Sequence, residues 1–244
     1  MIIIKNIAAF FDIDGTIARE SLMIEHFKRL IKYEIIDERI WLEYVKKLYT
    51  DYANRYGQYD AYIEALASKY LTELKGFDVE YNKFIAKQSV DKVCEMVYIF
   101  SRNELEFHKK NNHLIFFVSG SPDFLVKEMA KKYDVTEFRA TKYLYDKDKK
   151  FTGEICPMWD SKSKLKVCME LIEKYNIDIE NSFAYGDTTG DLSMLKLFGN
   201  AYTINPAKRL LDKIREDDNL KEKVNIIVER KDIIYKLKAN VETI

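Results

Sequence analysis

Three short runs of β-branched and aromatic residues constrain this chain most: Ile7–Ile13, His113–Val118 and Asn181–Tyr185. Each ends in a Gly-, Asp- or Ser-bearing turn and leads into a helical pattern. Apolar runs this short and this continuous read as strands buried on both faces, the habit of a parallel sheet. Strands alternating with helices define an α/β fold. A fourth strand is expected at Ala201–Ile204, closed by Asn205-Pro206, and a last short one near Val224–Val228. Phe138–Ile155 reads as a hairpin, with arms at Ala140–Leu144 and Phe151–Glu154 around a charged turn. Helices are expected at Ala207–Ile214 and Lys231–Asn240.

Between Ala18 and about Asn103 the character changes. Proline is absent there, glycine occurs only at Gly57 and Gly76, and apolar residues such as Trp41, Val45, Leu48 and Tyr52 recur at helical spacing. An all-helical stretch placed directly after the first strand sits above the C-terminal end of the sheet, where open α/β folds bind ligands. Residues 19–103 therefore read as a helical cap on a core made of 1–18 and 104–244. The cap is rich in tyrosine (Tyr44, Tyr49, Tyr52, Tyr56, Tyr59, Tyr62), a composition that serves a small-molecule pocket or plain helix packing equally well.

Composition narrows the partners. Of 244 residues, 40 are basic and 40 acidic, so the net charge is zero and no basic stripe stands out. That leaves no electrostatic basis for nucleic acid or an acidic membrane as partner. Cys94, Cys156 and Cys168 have neither pairing nor zinc-type spacing, which fits reduced thiols in a cytoplasmic protein. The apolar start, Met1–Phe11, lacks a basic end and a cleavage site and reads as a buried strand. No apolar run reaches the roughly 18–20 residues that span a bilayer.

Four constellations carry chemistry. In Phe11-Asp12-Ile13-Asp14-Gly15-Thr16 two carboxylates two residues apart leave a buried strand together and face one pocket, where a cation relieves their repulsion. Oxygen-only surroundings suit Mg²⁺. A calcium loop needs further oxygen ligands, and Ile17 and Ala18 fill those steps. Val118-Ser119-Gly120-Ser121-Pro122 ends another strand, where a hydroxyl and backbone N–H groups either receive an anion or cap a helix. Lys162, Lys164 and Lys166 open a helix, and one ammonium could hold a phosphate oxygen. Gly186-Asp187-Thr188-Thr189-Gly190-Asp191 places two more carboxylates on a turn. Each motif alone has a bland reading; four in this order at one sheet edge do not.

With these residues in view, the chain resembles the haloacid dehalogenase superfamily hydrolases, in the subgroup that includes phosphoserine phosphatase. Asp12-Ile13-Asp14-Gly15-Thr16 matches the first motif, Ser119 the second, Lys164 the third and Gly186–Asp191 the fourth. Lys164 is preferred to Lys162 because Val167, Cys168 and Leu171 follow it at helical spacing. The resemblance implies a Rossmann-like parallel sheet flanked by helices, with a helical cap inserted after the first strand. It also implies a phosphatase that acts on a small-molecule phosphate ester through an aspartyl phosphate. Asp12 would be the nucleophile and Asp14 the acid and base. Ser119 and Lys164 would hold the phosphoryl group, with Thr16 and Gly120 adding contacts. Mg²⁺ would sit on Asp12, the Asp14 carbonyl and Asp187, with Asp191 nearby or linked through water. His26, His108 and His113 fall outside every motif.

Asp14 favours a phosphate ester over a halide, which needs no proton to leave. A mutase or phosphotransferase uses the same aspartyl phosphate and stays open, as does a non-catalytic phosphate-binding module. Phosphoserine phosphatases grip their substrate with a cap glutamate and a cap arginine. Here Glu20 falls one position early, and Tyr59–Leu74 holds no arginine, although Arg55 precedes it.

Overall fold

The computed structural model describes residues 5–243. In chain order the elements are β1 (Ala8–Phe11), α1 (Leu22–Lys32), α2 (Glu38–Ile40), α3 (Lys46–Ala53), α4 (Tyr59–Leu74), α5 (Val79–Val93) and α6 (Ile99–Lys110). They continue with β2 (Leu114–Pro122), α7 (Asp123–Tyr133), β3 (Glu137–Tyr145), β4 (Phe151–Cys156), α8 (Ser161–Tyr175), β5 (Phe183–Gly186) and α9 (Leu192–Leu197). Last come β6 (Asn200–Ile204), α10 (Lys208–Arg215), α11 (Asp218–Lys223), β7 (Asn225–Arg230) and β8 (Ile233–Leu237). A π-helical turn, Trp41–Val45, joins α2 to α3.

One eight-stranded sheet in the order β4-β3-β2-β1-β5-β6-β7-β8 carries the molecule. Its inner pairs are parallel, and only the edge strands β4 and β8 run antiparallel. The expected α/β architecture is thus present. β1 lies at the centre because Ala8, Ala9, Phe10 and Phe11 are all fully buried and can be covered on both faces. Phe10 stacks on Phe116 and Phe198 at 4.9 and 4.3 Å, on the face covered by α8–α10. Phe11 stacks on Tyr185 at 4.1 Å on the other face.

That second face is continuous with the helices that follow β1. Phe11, Ile17, Leu22, Phe27, Leu30, Leu66, Tyr70 and Phe117 belong to one buried cluster. The return from α5 to the sheet is tied to the strand exit: Arg19 N–H donates to Met96 O at 3.0 Å and Tyr98 N–H to Ile17 O at 2.9 Å. Glu229 on β7 accepts the first backbone N–H groups of α6, Ile99 at 3.1 Å and Phe100 at 3.0 Å. These bonds satisfy donors that a helix start leaves unpaired.

The hairpin falls where the sequence places it, as β3 and β4, and β3 also extends the parallel sheet beside β2. The C-terminal expectation needs correction. Lys231–Asn240 is not a helix but contains β8, paired antiparallel to β7 through Arg230↔Ile233 and Val228↔Tyr235. Lys231 adopts a left-handed φ of 55°, which makes a tight reversal instead of a helical turn. Ile233, Ile234 and Tyr235 then favour a strand. Of the apolar start Met1–Phe11, the first four residues lie outside the described ones.

Candidate active site

β1 ends at Phe11, and Asp12 stays in register because its N–H donates to Tyr185 O at 3.0 Å. The chain then closes a tight loop: the N–H groups of Thr16, Ile17 and Ala18 all donate to Ile13 O, and Gly15 N–H donates to Ala18 O. Gly15 has φ +80°, and a Cβ there would fall 2.1 Å from Asp187 Oδ2. Glycine is therefore required twice, by conformation and by the approach of Asp187.

Lys164 is the hinge of the charge arrangement. It lies in the first turn of α8, 3% exposed, and its Nζ donates to Asp12 Oδ1 and to Asp191 Oδ1, each at 2.7 Å. The Asp160 side chain fixes the start of this helix by accepting from Lys162 and Ser163 N–H at 2.9 Å, and Lys162 itself points to solvent. Asp191 is fully buried, and its second oxygen accepts the backbone N–H of Asp187 at 3.0 Å and of Thr188 at 3.1 Å. Both oxygens of Asp191 are thereby engaged. Gly186 lets that side chain lie against the strand end, since a Cβ there would sit 2.3 Å from Asp191 Cβ. Asp187 accepts from Thr16 Oγ1 at 3.1 Å.

One carboxylate oxygen from each of Asp12, Asp187 and Asp191 lies within 4.8 Å of the others. Burial pushes the Asp12 carboxyl up to about 7, against the pull of the Lys164 ammonium and with Asp191 adding to the rise. Burial, then the charges of Asp12 and Asp191, hold Asp187 well above the usual carboxylate range. Burial opposes the Lys164 ammonium, but Asp12 and Asp191 outweigh it and keep the lysine charged. Asp12, Asp14, Asp187 and Asp191 thus surround one ammonium, a deficit that a second cation corrects. With oxygen donors alone, the set fits a hard divalent ion such as Mg²⁺.

Asp14 is half-buried and held by three donors. Leu22 N–H reaches Oδ1 at 2.8 Å, Ser21 Oγ–H reaches Oδ2 at 3.3 Å, and Ser121 Oγ–H also donates to Oδ2. Burial raises this carboxyl too, against the lowering pull of those donors. Ser119 is 1% exposed, and its Oγ accepts from Ser121 N–H at 3.2 Å. Gly120 follows on the same strand end, with Trp159 packed against it. All eight residues read from the sequence, Asp12, Asp14, Thr16, Ser119, Gly120, Lys164, Asp187 and Asp191, stand on strand ends or adjoining turns and the first turn of α8. Ser21 and Ser121 were not anticipated. Ser121 follows Ser119 at the two-residue step that puts strand side chains on one side, and that spacing was its one signal. Ser21 had none.

The sequence profile of the haloacid dehalogenase-like hydrolases matches residues 9–196, which span every motif above. The chain belongs to this family. Among its relatives, a probable phosphatase of Mycobacterium tuberculosis is 27% identical over 207 residues, covering 83% of this chain and 70% of that protein. The "inhibition of morphological differentiation" protein of Streptomyces azureus is 25% identical over 205 residues, covering 83% and 73%. Among solved structures, a protein of unknown function from Bordetella pertussis superposes with a TM-score of 0.70 at 17% identity, covering 87% of this chain and 96% of that one. A substrate-bound phosphoserine phosphatase gives 0.61 at 20% identity, covering 94% and 96%. These two likenesses are of fold. Among the described residues of this hydrolase, no helix is long and apolar enough to cross a membrane, and Cys94, Cys156 and Cys168 are free thiols.

Proposed function

We propose that this chain is a Mg²⁺-dependent phosphatase that hydrolyses a small-molecule phosphate monoester through an aspartyl phosphate on Asp12. The observation that carries the reading is the Lys164 ammonium bonded at 2.7 Å to both Asp12 and Asp191 within a cluster of buried carboxylates. Lys164 orients Asp12 and leaves its other oxygen to attack phosphorus as the ester oxygen departs. Asp14 gives that oxygen its proton and then takes one from the water that hydrolyses the acyl phosphate. Ser21, Ser121 and the Leu22 N–H hold Asp14 in place for both transfers. Ser119, Thr16 and the backbone at Gly120 receive the phosphoryl oxygens. Asp12, Asp187 and the Asp14 carbonyl would hold Mg²⁺, which when bound neutralises charge between nucleophile and phosphate. Asp191, with both oxygens engaged, braces Lys164 and the Asp187 turn.

In this reading residues 19–103 form the cap over a core of 1–18 and 104–244, and the protein works in the cytoplasm, where its free thiols stay reduced. The relative named a probable phosphatase supports the reaction class. The test is phosphate release from a panel of phosphomonoesters, with and without chelator, by the natural protein and by Asp12→Asn. Release that needs Mg²⁺ and vanishes in the variant is expected. Release that survives Asp12→Asn removes Asp12 as nucleophile and overturns the reading.

A further inference from the structure

The two edges of the sheet are finished differently. At β4 the edge is covered: Gly76 N–H donates to Phe151 O at 2.7 Å, Phe151 N–H donates to Phe77 O at 3.0 Å, and Asp78 bridges to Lys150. At β8 no further strand follows among the described residues, and Ile233, Ile234 and Tyr235 stand 49%, 38% and 46% exposed. The open N–H and C=O groups of such an edge template pairing with another chain, and charged residues on the edge ordinarily prevent it. Here the lysines turn back onto their own sheet. Lys236 Nζ lies 5.7 Å from the centroid of the Tyr202 ring, and Lys238 Nζ donates to Asn225 Oδ1 at 3.2 Å. The edge is left apolar on both faces, with Ile233 and Tyr235 on one and Ile234 on the other.

Pairing with β7 dictates which backbone groups face outwards. Arg230↔Ile233 closes a two-residue turn, so Ile233, Tyr235 and Leu237 exchange backbone bonds with β7. The N–H and C=O groups of Ile234 and Lys236 therefore point away from the sheet. A second β8 meets them in antiparallel sense when the two-fold axis passes through Tyr235. Ile234 then exchanges bonds with Lys236 of the second copy, and Lys236 with its Ile234. Tyr235 meets Tyr235, and Ile233 meets Leu237, at the close positions where side chains touch. Just beyond the strand ends Asp232 meets Lys238, twice by symmetry, and the Lys238 ammonium keeps donors for it. Moving the axis to Lys236 sets two lysines face to face. Moving it to Ile234 carries Lys238 past the turn of the second copy.

We propose that β8 is a self-association edge: two copies of this chain pair β8 to β8, antiparallel about Tyr235, and join their sheets into one. The proposal is independent of the chemistry at the carboxylate cluster. The contact uses the same surface of both copies and closes at two, because the covered β4 edge gives β8 no second place to dock. Asp232 and Lys238 bracket the strand so that it complements its own reverse, which selects a second copy over an unrelated peptide.

The test is sedimentation velocity of the full chain over a concentration series. A strand pair is a small interface, below about 1,200 Å², so monomer and dimer are expected to exchange over about 1–100 μM. Ile234→Pro removes an outward N–H that β7 does not use, and it is expected to weaken the dimer about tenfold or more with little change in Tm. Asp232→Lys and Lys238→Asp each set like charges opposite one another and are expected to sediment as monomers. Mixed together they restore both charge pairs, and the dimer is expected to return. This mixture also decides the matter if Ile234→Pro does not fold. A monomer at every concentration overturns the proposal and leaves the edge to another kind of partner. A dimer that survives a folded Ile234→Pro, or single charge variants whose mixture stays monomeric, overturns it as well.

Discussion

Replacing Lys164 with methionine keeps most of the buried stem and removes the charge that joins Asp12 to Asp191. Lys164 is 3% exposed and both its ion pairs are 2.7 Å long, so water does not take over its role. Removing one partner of a buried ion pair costs about 3–5 kcal/mol, because the remaining charge is left uncompensated. Domains are stable by about 5–15 kcal/mol, so the variant is expected to fold with a much reduced margin. The loss depends on pH, and its sign is fixed. Burial already raises the Asp12 carboxyl from 3.8 to about 7, so at intermediate pH the folded state binds the proton more readily than the unfolded chain. Without the ammonium that pKa rises further, and the folded variant takes up a proton the wild type resists. The deficit is therefore greatest at alkaline pH and shrinks as pH falls toward about 7, below which both folded proteins carry the proton. Urea unfolding in chelator at about pH 8 and about pH 5 measures this, with equal m-values as the check on two-state behaviour. Added Mg²⁺ is expected to restore more stability to the variant than it adds to wild type, and phosphate release is expected to fall about 10²–10³-fold. A deficit below about 1 kcal/mol at pH 8, or one that does not change with pH, refutes the reasoning.

Two further outcomes follow from single positions. Gly15→Ala puts a methyl 2.1 Å from Asp187 Oδ2 at a φ of +80°, so the loop and Asp187 must separate. A cost of about 1–3 kcal/mol and loss of the Mg²⁺-induced rise in Tm are expected, and an undiminished rise would sink the steric argument. His26 and His108 are each lowered by burial from 6.5 to about 3. Between those values the unfolded chain binds a proton that the folded state refuses, so each histidine removes about 1.4 kcal/mol per pH unit as pH falls below 6.5. The hydrogen bonds of His108 suit the neutral ring. Tyr185 donates to Glu104 at 2.6 Å, so it accepts from His108 Nε2, which leaves Nδ1 to accept from His113 at 2.9 Å. Urea midpoints between pH 6.5 and about 5 are expected to fall less steeply in His26→Gln than in wild type. Equal slopes would contradict a neutral buried His26.

Much of this protein is determined by local pattern. The runs around Phe10, Phe116 and Ala184 are short, rich in β-branched and aromatic residues and bounded by turn residues, which reads as strands buried on both faces, and their turns carry the chemistry to one sheet edge. The choice of Lys164 over Lys162 followed from helical phase, because α8 turns positions 164, 168 and 171 inward together. Local pattern failed at Lys231–Asn240, where short apolar runs fit helix and strand alike and pairing with β7 settled the matter. It was also silent on contacts between distant positions. Lys164 meets Asp12 across 152 residues and Ser121 meets Asp14 across 107, and no periodicity links such pairs. That both oxygens of Asp191 are already engaged was likewise decided by the tertiary structure. Sequence fixes which groups arrive at the sheet edge. Packing of the sheet and helices fixes which atoms meet there, because hydrogen-bond partners within 3 Å are set by backbone placement over the whole chain.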